Sequence, residues 1–196
     1  MELWVAAREG NLTKVQALLS AGVLPALTTT AIAKEELGFT PLHAAAAHNH
    51  LAVVDCLLFD GAVNVAAVDR VGRTALHLAA ARAHSAVLDR LLLHIPSAFT
   101  PKVGAQGEEA EEAEDGSSTN NIANLLTLAD KAGETPLHHA ARGGSVACCR
   151  AVLAANERVH GRESNRVLIN RASKGKGDTA IILAASWGHV QCMGVL

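Results

Sequence analysis

Histidine and cysteine are the side chains of this sequence whose types and spacing could do chemistry. Imidazoles and thiolates together are common zinc ligands, and a thiol beside an imidazole can act as a nucleophile. The chain has ten histidines, and its four cysteines are Cys56, Cys148, Cys149 and Cys192. The cysteines form no C-x-x-C pair, and the one local grouping places 138–139 and 148–149 on different helices. That spacing is poor for a metal, so we expect no metal site and no cofactor.

The histidines also recur at two fixed places of a long internal repeat. One set is His43, His77 and His138, and the other is His50, His84 and His189. Residues separated by whole repeats form ladders along a stack instead of one cluster, so we interpret them as structural residues. Three of the four cysteines replace Val in the second helix of a unit, where a buried thiol acts as a small apolar side chain.

Other chemical motifs give no support to an enzyme. Nucleophile-elbow, Walker and Rossmann patterns are absent. The segment 174–179, KGKGDT, is superficially similar to a phosphate-binding loop but lacks the order G-x-x-x-x-G-K-[ST]. We therefore expect a protein without catalytic residues.

The repeat has the frame G-x-T-x-L-H-x-A-A-x-x-G-H, followed by an apolar helix. Its Thr positions are 40, 74, 135 and 179, at spacings of 34, 61 and 44 residues. Each Thr precedes a helical stretch and suits an N-cap, and Pro41 and Pro136 suit the first helical position. Small Ala pairs follow where two helices must approach closely. Because short helices cannot bury their apolar faces alone, the units are expected to stack.

The T-P-L-H-x-A-A motif, with G-H and a V-V-x-x-L-L helix after it, resembles the ankyrin repeat, whose period is about 33 residues. The resemblance covers most of the chain and implies an all-α solenoid of stacked helix–turn–helix units. It also implies that Thr and His of each T-x-L-H motif hydrogen-bond to hold the turn. The last repeat departs from the pattern at Ile182, and the first, which has lost Gly-x-Thr, carries Trp4.

The frame predicts a single domain, 1–196, of five repeats. Repeats one to five are expected at about 1–23, 36–65, 69–94, 130–156 and 174–196, with an acidic insertion at about 95–128 and a basic insertion at about 157–171. The tract 108–115 has six acids in eight residues, which is typical of a disordered loop. We expect the basic insertion to be a cationic loop.

The acidic tract has two interpretations. It could compete with an acidic partner for a nearby cationic surface, or it could be an inert tether, since long loops cost little free energy. Deleting 108–115 and measuring partner affinity against salt concentration separates the two, because only a competitor changes the affinity and its salt dependence.

The resemblance implies partner binding through the inter-repeat turns and the exposed face of the first helices. Among the positions it marks, seven side chains are basic and three are acidic, which predicts a mildly basic concave groove on a chain of net charge −2. The candidate binding residues are Arg8, Phe39, His48, Arg70, Arg73, Arg82, Lys131, Arg142, Lys176 and Trp187. Arginine contacts to carboxylates and an apolar anchor at Trp187 or Phe39 would provide the recognition.

The expected function is non-catalytic protein recognition by a monomer in the cytoplasm or nucleus, whose partner has an acidic segment. No run of about 20 apolar residues and no signal peptide is present, so we expect no membrane contact. A second hypothesis is the substrate-recruiting part of an enzyme whose catalytic domain lies beyond residue 196, since 189–196 ends inside a helix as a fragment of a longer array would. A third, nucleic-acid binding through 158–176, has little support because that segment has no aromatic residue to stack a base.

Overall fold

The computed structural model describes residues 2–23, 38–59, 63–94 and 125–196. The acidic tract 108–115 lies outside these residues. In the described part the regular elements are all helical, which confirms the all-α prediction. The helices are α1 Glu2–Glu9, α2 Leu12–Ser20, α3 Pro41–Ala47, α4 Leu51–Phe59, α5 Ala75–Ala81, α6 Ser85–Leu93, α7 Pro136–Arg142, α8 Val146–His160, α9 Glu163–Ile169, α10 Ala180–Ser186 and α11 Val190–Met193.

The helices stack in two rows. The first helices of the repeats (α1, α3, α5, α7 and α10) contact one another in that order and form the inner row. The second helices (α2, α4, α6, α8 and α11) form the outer row in the same order. We call the side formed by the inner helices and the turns before them the inner face. A continuous core of Ala, Leu, Val and Cys runs through the stack from Leu3 to Cys192. Each repeat is therefore stabilised by its neighbours.

The Thr residues of the frame act as the predicted N-caps. Thr40 Oγ1 accepts a hydrogen bond from the His43 backbone N–H, and the His43 side chain bonds back to the Thr40 backbone, which completes a capping box. Thr74 and Thr135 have the same arrangement. Pro41 and Pro136 occupy the first helical position, as the sequence predicts.

The small residues of the frame allow the inner helices to pack closely. Ala45, Ala79 and Ala140 are fully buried between neighbouring inner helices. A larger side chain at these positions would force the helices apart, because protein interiors are close-packed. The Ala pairs are thus the sequence feature that sets the spacing of the stack.

The basic insertion is helical, so the prediction of a cationic loop is wrong. Helix α8 continues to His160, past the predicted end of repeat four, and α9 covers Glu163–Ile169. Arg158 donates to the Leu92 carbonyl at 2.8 Å and Arg171 donates to the Thr127 carbonyl at 2.7 Å. These arginines tie the extension to the stack. The sequence reading missed this because charge runs say nothing about carbonyl partners far along the chain.

Gly133 is a position where only glycine fits. It has φ +78°, and a Cβ there would lie 2.5 Å from the backbone nitrogen of Lys174 in the next turn. The turns themselves are joined, since Lys174 N–H donates to the Ala132 carbonyl at 2.8 Å. The equivalent Gly177 has φ +72° but no atom within 4 Å of such a Cβ.

We therefore predict that Gly133→Ala lowers the free energy of unfolding by about 2–4 kcal/mol and Gly177→Ala by about 1–2 kcal/mol. The loss in Gly177→Ala comes from the positive φ alone. The additional loss in Gly133→Ala comes from displacing the neighbouring turn. Urea unfolding followed by circular dichroism measures both. Equal losses for the two variants would contradict the close approach of the turns.

Candidate functional site

The first histidine ladder joins each repeat to the next through backbone carbonyls. Nε2 of His43 lies 3.0 Å from the Arg73 carbonyl, that of His77 lies 3.2 Å from the Glu134 carbonyl, and that of His138 lies 2.9 Å from the Arg171 carbonyl. A carbonyl can only accept, so each Nε2 carries a proton. Each of these bonds therefore connects one repeat to the segment before the inner helix of the next repeat.

The hydrogen bond at Nδ1 shows which charge state these histidines have. The Thr74 backbone N–H donates to Nδ1 of His77 at 3.1 Å, and an N–H can only donate, so Nδ1 carries no proton. The imidazole is therefore neutral. Burial lowers the pKa of His77 to about 3, and burial also lowers the pKa of His43 and His138.

The second ladder uses the carbonyls at the ends of the inner helices. Nε2 of His50 contacts the Arg8 carbonyl at 2.9 Å, that of His84 contacts the Ala47 carbonyl at 3.2 Å, and that of His189 contacts the Arg142 carbonyl at 3.1 Å. The interpretation of both sets as structural ladders is confirmed by these contacts. In both sets, Nε2 of each histidine donates a hydrogen bond to a backbone carbonyl outside its own repeat.

The cysteines pack in the core as the sequence predicts. Cys148, Cys149 and Cys192 are buried, and Cys56 is half-buried. None of the four forms a disulfide. Burial raises the pKa of Cys149 to about 12 and also raises that of Cys148, so neither is a reactive thiolate at neutral pH.

Sequence reasoning missed one polar cluster, in repeat four. Oxygen or nitrogen atoms of Asp130, Glu134 and His139 lie within 4.8 Å of one another, a set that could hold a divalent cation. His139 Nε2 lies 3.0 Å from Asp130 Oδ2, and His139 Nδ1 accepts from Arg142 Nη2 at 3.2 Å. Arg142 also pairs with Glu134. The guanidinium thus already neutralises Glu134, and a metal bound to Glu134 and His139 would have to displace it.

A signal for this cluster is present in the sequence. The frame has an apolar residue at this place of the inner helix in the other repeats, at Ala44, Leu78 and Leu183, whereas repeat four has His139. The ring is buried, and it packs edge-on against His77 with centroids 5.3 Å apart. Burial is the main cause that lowers the pKa of His139, so the ring is neutral at pH 7. The cluster is an internal hydrogen-bonded network that fixes Arg142.

Four predicted binding residues meet in one groove on the inner face. The groove has a volume of about 730 Å³ and lies between the turns that begin repeats four and five, above α7 and α10. The predicted residues that line it are Lys131, Arg142, Lys176 and Trp187. Lys174, which sequence reasoning left out of the candidate set, lines it as well. Its place next to the selected Lys176 in the same turn was the available signal.

The groove combines a cationic rim with an apolar floor. Glu134 and Asp178 are its acids, against four cations, and Glu134 is already paired with Arg142. Within the described residues, no carboxylate lies within 4.0 Å of the ammonium group of Lys131, Lys174 or Lys176. The apolar part is formed by Ile182, Leu183 and Trp187, of which Trp187 is 61% exposed.

A second group of predicted residues lies near the other end of the inner face. Arg8, His48 and Arg82 are exposed there. The pKa of His48 is lowered, first by desolvation and then by the charges of Arg82 and Arg8, which places the three side chains near one another. Arg8 also lies 5.5 Å from the Trp4 ring centroid, and Arg82 donates to the Ala47 carbonyl.

The remaining predicted residues are less available. Arg73 is held by Asp69 through two contacts of 2.8 Å. Phe39 is half-buried, and its ring lies 5.3 Å from that of His43. Arg70 is exposed on a turn. The structure therefore divides the ten candidates into the groove, the Arg8 group and three residues that belong to neither.

Comparison with known families agrees with this architecture. A family model of ankyrin repeats, in three copies, matches residues 3–100 and 113–196. No curated protein matches the sequence. In the described part of the chain, no helix is both long enough and apolar enough to cross a bilayer.

Proposed function

Because the chain belongs to the ankyrin-repeat family, we propose that it is a non-catalytic module that binds a partner protein through a concave, mildly basic inner face. Ankyrin repeats are generally protein-interaction modules, but a fold alone does not determine function. The observation that carries the proposal is the groove between repeats four and five, which four of the residues marked by the repeat frame line together.

The charge of the inner face supports a partner with an acidic segment. Its cations lie in two places, the Arg8 group and the rim of the groove. Such a surface attracts an acidic partner and orients it before contact, although the whole chain has a net charge of −2.

The chemistry-bearing side chains support a non-catalytic role. In the described residues, six histidines donate to backbone carbonyls, and three thiols are buried in the core. A catalytic base or nucleophile needs a group that is available to substrate, whereas Nε2 of each of these histidines is bonded to a carbonyl and the three thiols are buried. Nothing in the described residues favours the alternative of a substrate-recruiting part of a larger enzyme.

The structure guides which charges to change in a binding test. Reversing Arg73 or Arg142 would place a carboxylate against Asp69 or Glu134 and destabilise the fold. Reversal of exposed cations avoids that, and the best set on the inner face is Arg8→Glu, Lys131→Glu and Lys176→Glu. The matched control reverses three exposed outer cations of α8 and its extension, Arg150→Glu, Arg162→Glu and Arg166→Glu. Arg162 pairs with Glu157, but its side chain is 89% exposed, so losing that pair costs little stability.

We predict that proteins captured from the native lysate by the wild type are also captured by the outer variant but fall at least about ten-fold on the inner variant. Both variants change the net charge equally, so the contrast reports position. Quantitative mass spectrometry of the captured proteins measures it, with circular dichroism to check folding. Loss of the same proteins from both variants, or from neither, would contradict binding through the inner face.

A further inference from the structure

We infer that the groove between repeats four and five binds a linear segment of a partner protein in which a bulky apolar side chain stands next to several Asp or Glu residues. The inference rests on the proposed function and names the chemistry of the partner at one place on the inner face. It also assigns the anion contacts to three lysines in place of the arginines that the sequence suggested.

The apolar part of the groove includes a Trp at a place where other repeats have a polar residue or Gly. Ile182 also lines the groove and is 47% exposed. Trp187 stands where repeat three has Arg82 and repeat four has Gly143. An exposed Trp beside an exposed Ile is costly in water, and such pairs mark binding sites in which a partner's apolar side chain removes them from solvent.

The polar part of the groove has fixed turns and free charges. Lys131 N–H donates to the Val71 carbonyl at 2.8 Å, and Lys174 N–H donates to the Ala132 carbonyl at 2.8 Å. The turns that carry the lysines are therefore held by the stack. The side chains of Lys131, Lys174 and Lys176 are exposed and have no carboxylate within 4.0 Å among the described residues.

Arg142 contributes less to anion binding, because it is already paired. Its guanidinium contacts Glu134 and donates to Nδ1 of His139. A partner carboxylate would have to compete with an existing charge-assisted bond, and the gain would be small. The three lysines have no ion pair to break, so we assign to them the contacts with the partner's carboxylates.

The size and composition of the groove favour a peptide over a nucleic acid. About 730 Å³ holds a few side chains of an extended segment. A single-stranded nucleic acid is usually bound by successive aromatic platforms along a basic channel, and this groove has one aromatic residue, two aliphatic residues and two acids. The combination fits an aliphatic or aromatic side chain flanked by carboxylates.

Selection of random 16-residue peptides displayed on phage against the full chain tests the inference. The enriched peptides are expected to be acidic and to carry Leu, Ile, Phe or Trp beside Asp or Glu. Dissociation constants of synthetic fluorescent copies are then measured on the wild type and on three variants. These are Trp187→Ala, the triple groove variant Lys131→Gln/Lys174→Gln/Lys176→Gln, and the triple control Arg150→Gln/Arg162→Gln/Arg166→Gln.

We expect affinity to fall about ten-fold or more on each groove variant and less than about two-fold on the control, with the salt dependence reduced in the lysine variant. Single-stranded poly-U RNA as competitor is expected to have no effect. Enriched peptides that are neutral or basic, that bind the groove variants as well as the wild type, or that poly-U displaces would overturn the inference and leave the proposed function standing. Enrichment no greater than on bare support would also overturn the inference, whereas the proposed function is decided by the lysate capture with the inner and outer variants.

Discussion

Lowering the pH from 7.5 to 5.5 is expected to reduce the free energy of unfolding of this protein by about 3–5 kcal/mol, with most of the loss below pH 6.5. Four buried histidines cause it: His43, His77, His138 and His139. Each has a lowered pKa in the folded protein, and burial is the largest cause in every case.

The direction follows from where the protons bind. Above about pH 7 these histidines are neutral in both the folded and the unfolded chain, so the contribution to stability is complete. Below about 6.5 the unfolded chain takes up protons, whereas the folded chain does not until its lowered pKa is reached, which is about 3 for His77. A histidine that stays neutral in the folded protein then costs up to about 1.4 kcal/mol of stability per pH unit, a limit that is approached only well below pH 6.5.

The hydrogen bonds explain why the folded state resists protonation. A proton on Nδ1 of His77 would face the Thr74 N–H, which cannot accept, and would break the capping box of α5. Urea unfolding at pH 7.5, 6.5 and 5.5 gives the loss directly, and NMR titration of the imidazole signals locates each pKa. A free energy of unfolding that stays constant from pH 7.5 to 5.5, or a folded-state His77 that titrates near 6.5, would contradict the prediction.

Sequence reasoning predicted the stack well because its determinants are local. A Thr three residues before a His builds a capping box within one turn of helix, as Thr135 and His138 show. The exception has a local reason too. Thr179 has no capping box, because Ile182 replaces the histidine whose ring would accept from the Thr179 backbone N–H.

The binding surface was predicted less well because its charges depend on partners outside the frame. The frame marks Arg73 and Arg142 as exposed positions, but it cannot show that Asp69 and Glu134 neutralise them. Selection by frame position also left out Lys174, whose ammonium group the structure leaves at the groove. Side-chain pairing decides which cations a partner can use, and the repeat pattern does not encode it.

The same contrast applies to the extension after repeat four. Its arginines suggested a cationic loop, yet Arg158 and Arg171 donate to carbonyls of earlier segments. Asn156, fully buried, donates to Ser164 and Asn165 and holds α9 against α8. The repeat frame defines no position for these contacts, so the sequence does not predict them and only the structure shows them.

The two histidine ladders differ in burial, and this leads to the second large effect. His77 is completely buried, and removing its ring leaves a cavity and leaves the Thr74 N–H without its partner. The Glu134 carbonyl loses one of its two donors and keeps the Asp130 N–H. His84 is half-exposed, and water can replace its bond to the Ala47 carbonyl, which Arg82 also contacts. The cost of an unmade hydrogen bond is largest where water cannot reach.

At pH 7.5 we therefore expect His77→Ala to lower the free energy of unfolding by about 3–5 kcal/mol and His84→Ala by about 1 kcal/mol. Both variants remove an imidazole that bonds a carbonyl of a neighbouring repeat, so the difference isolates burial and the capping box. Urea unfolding followed by circular dichroism measures the two losses. If the pair lost the same free energy, the His77 ladder would not be what joins repeats three and four, and the stack would depend on apolar packing alone.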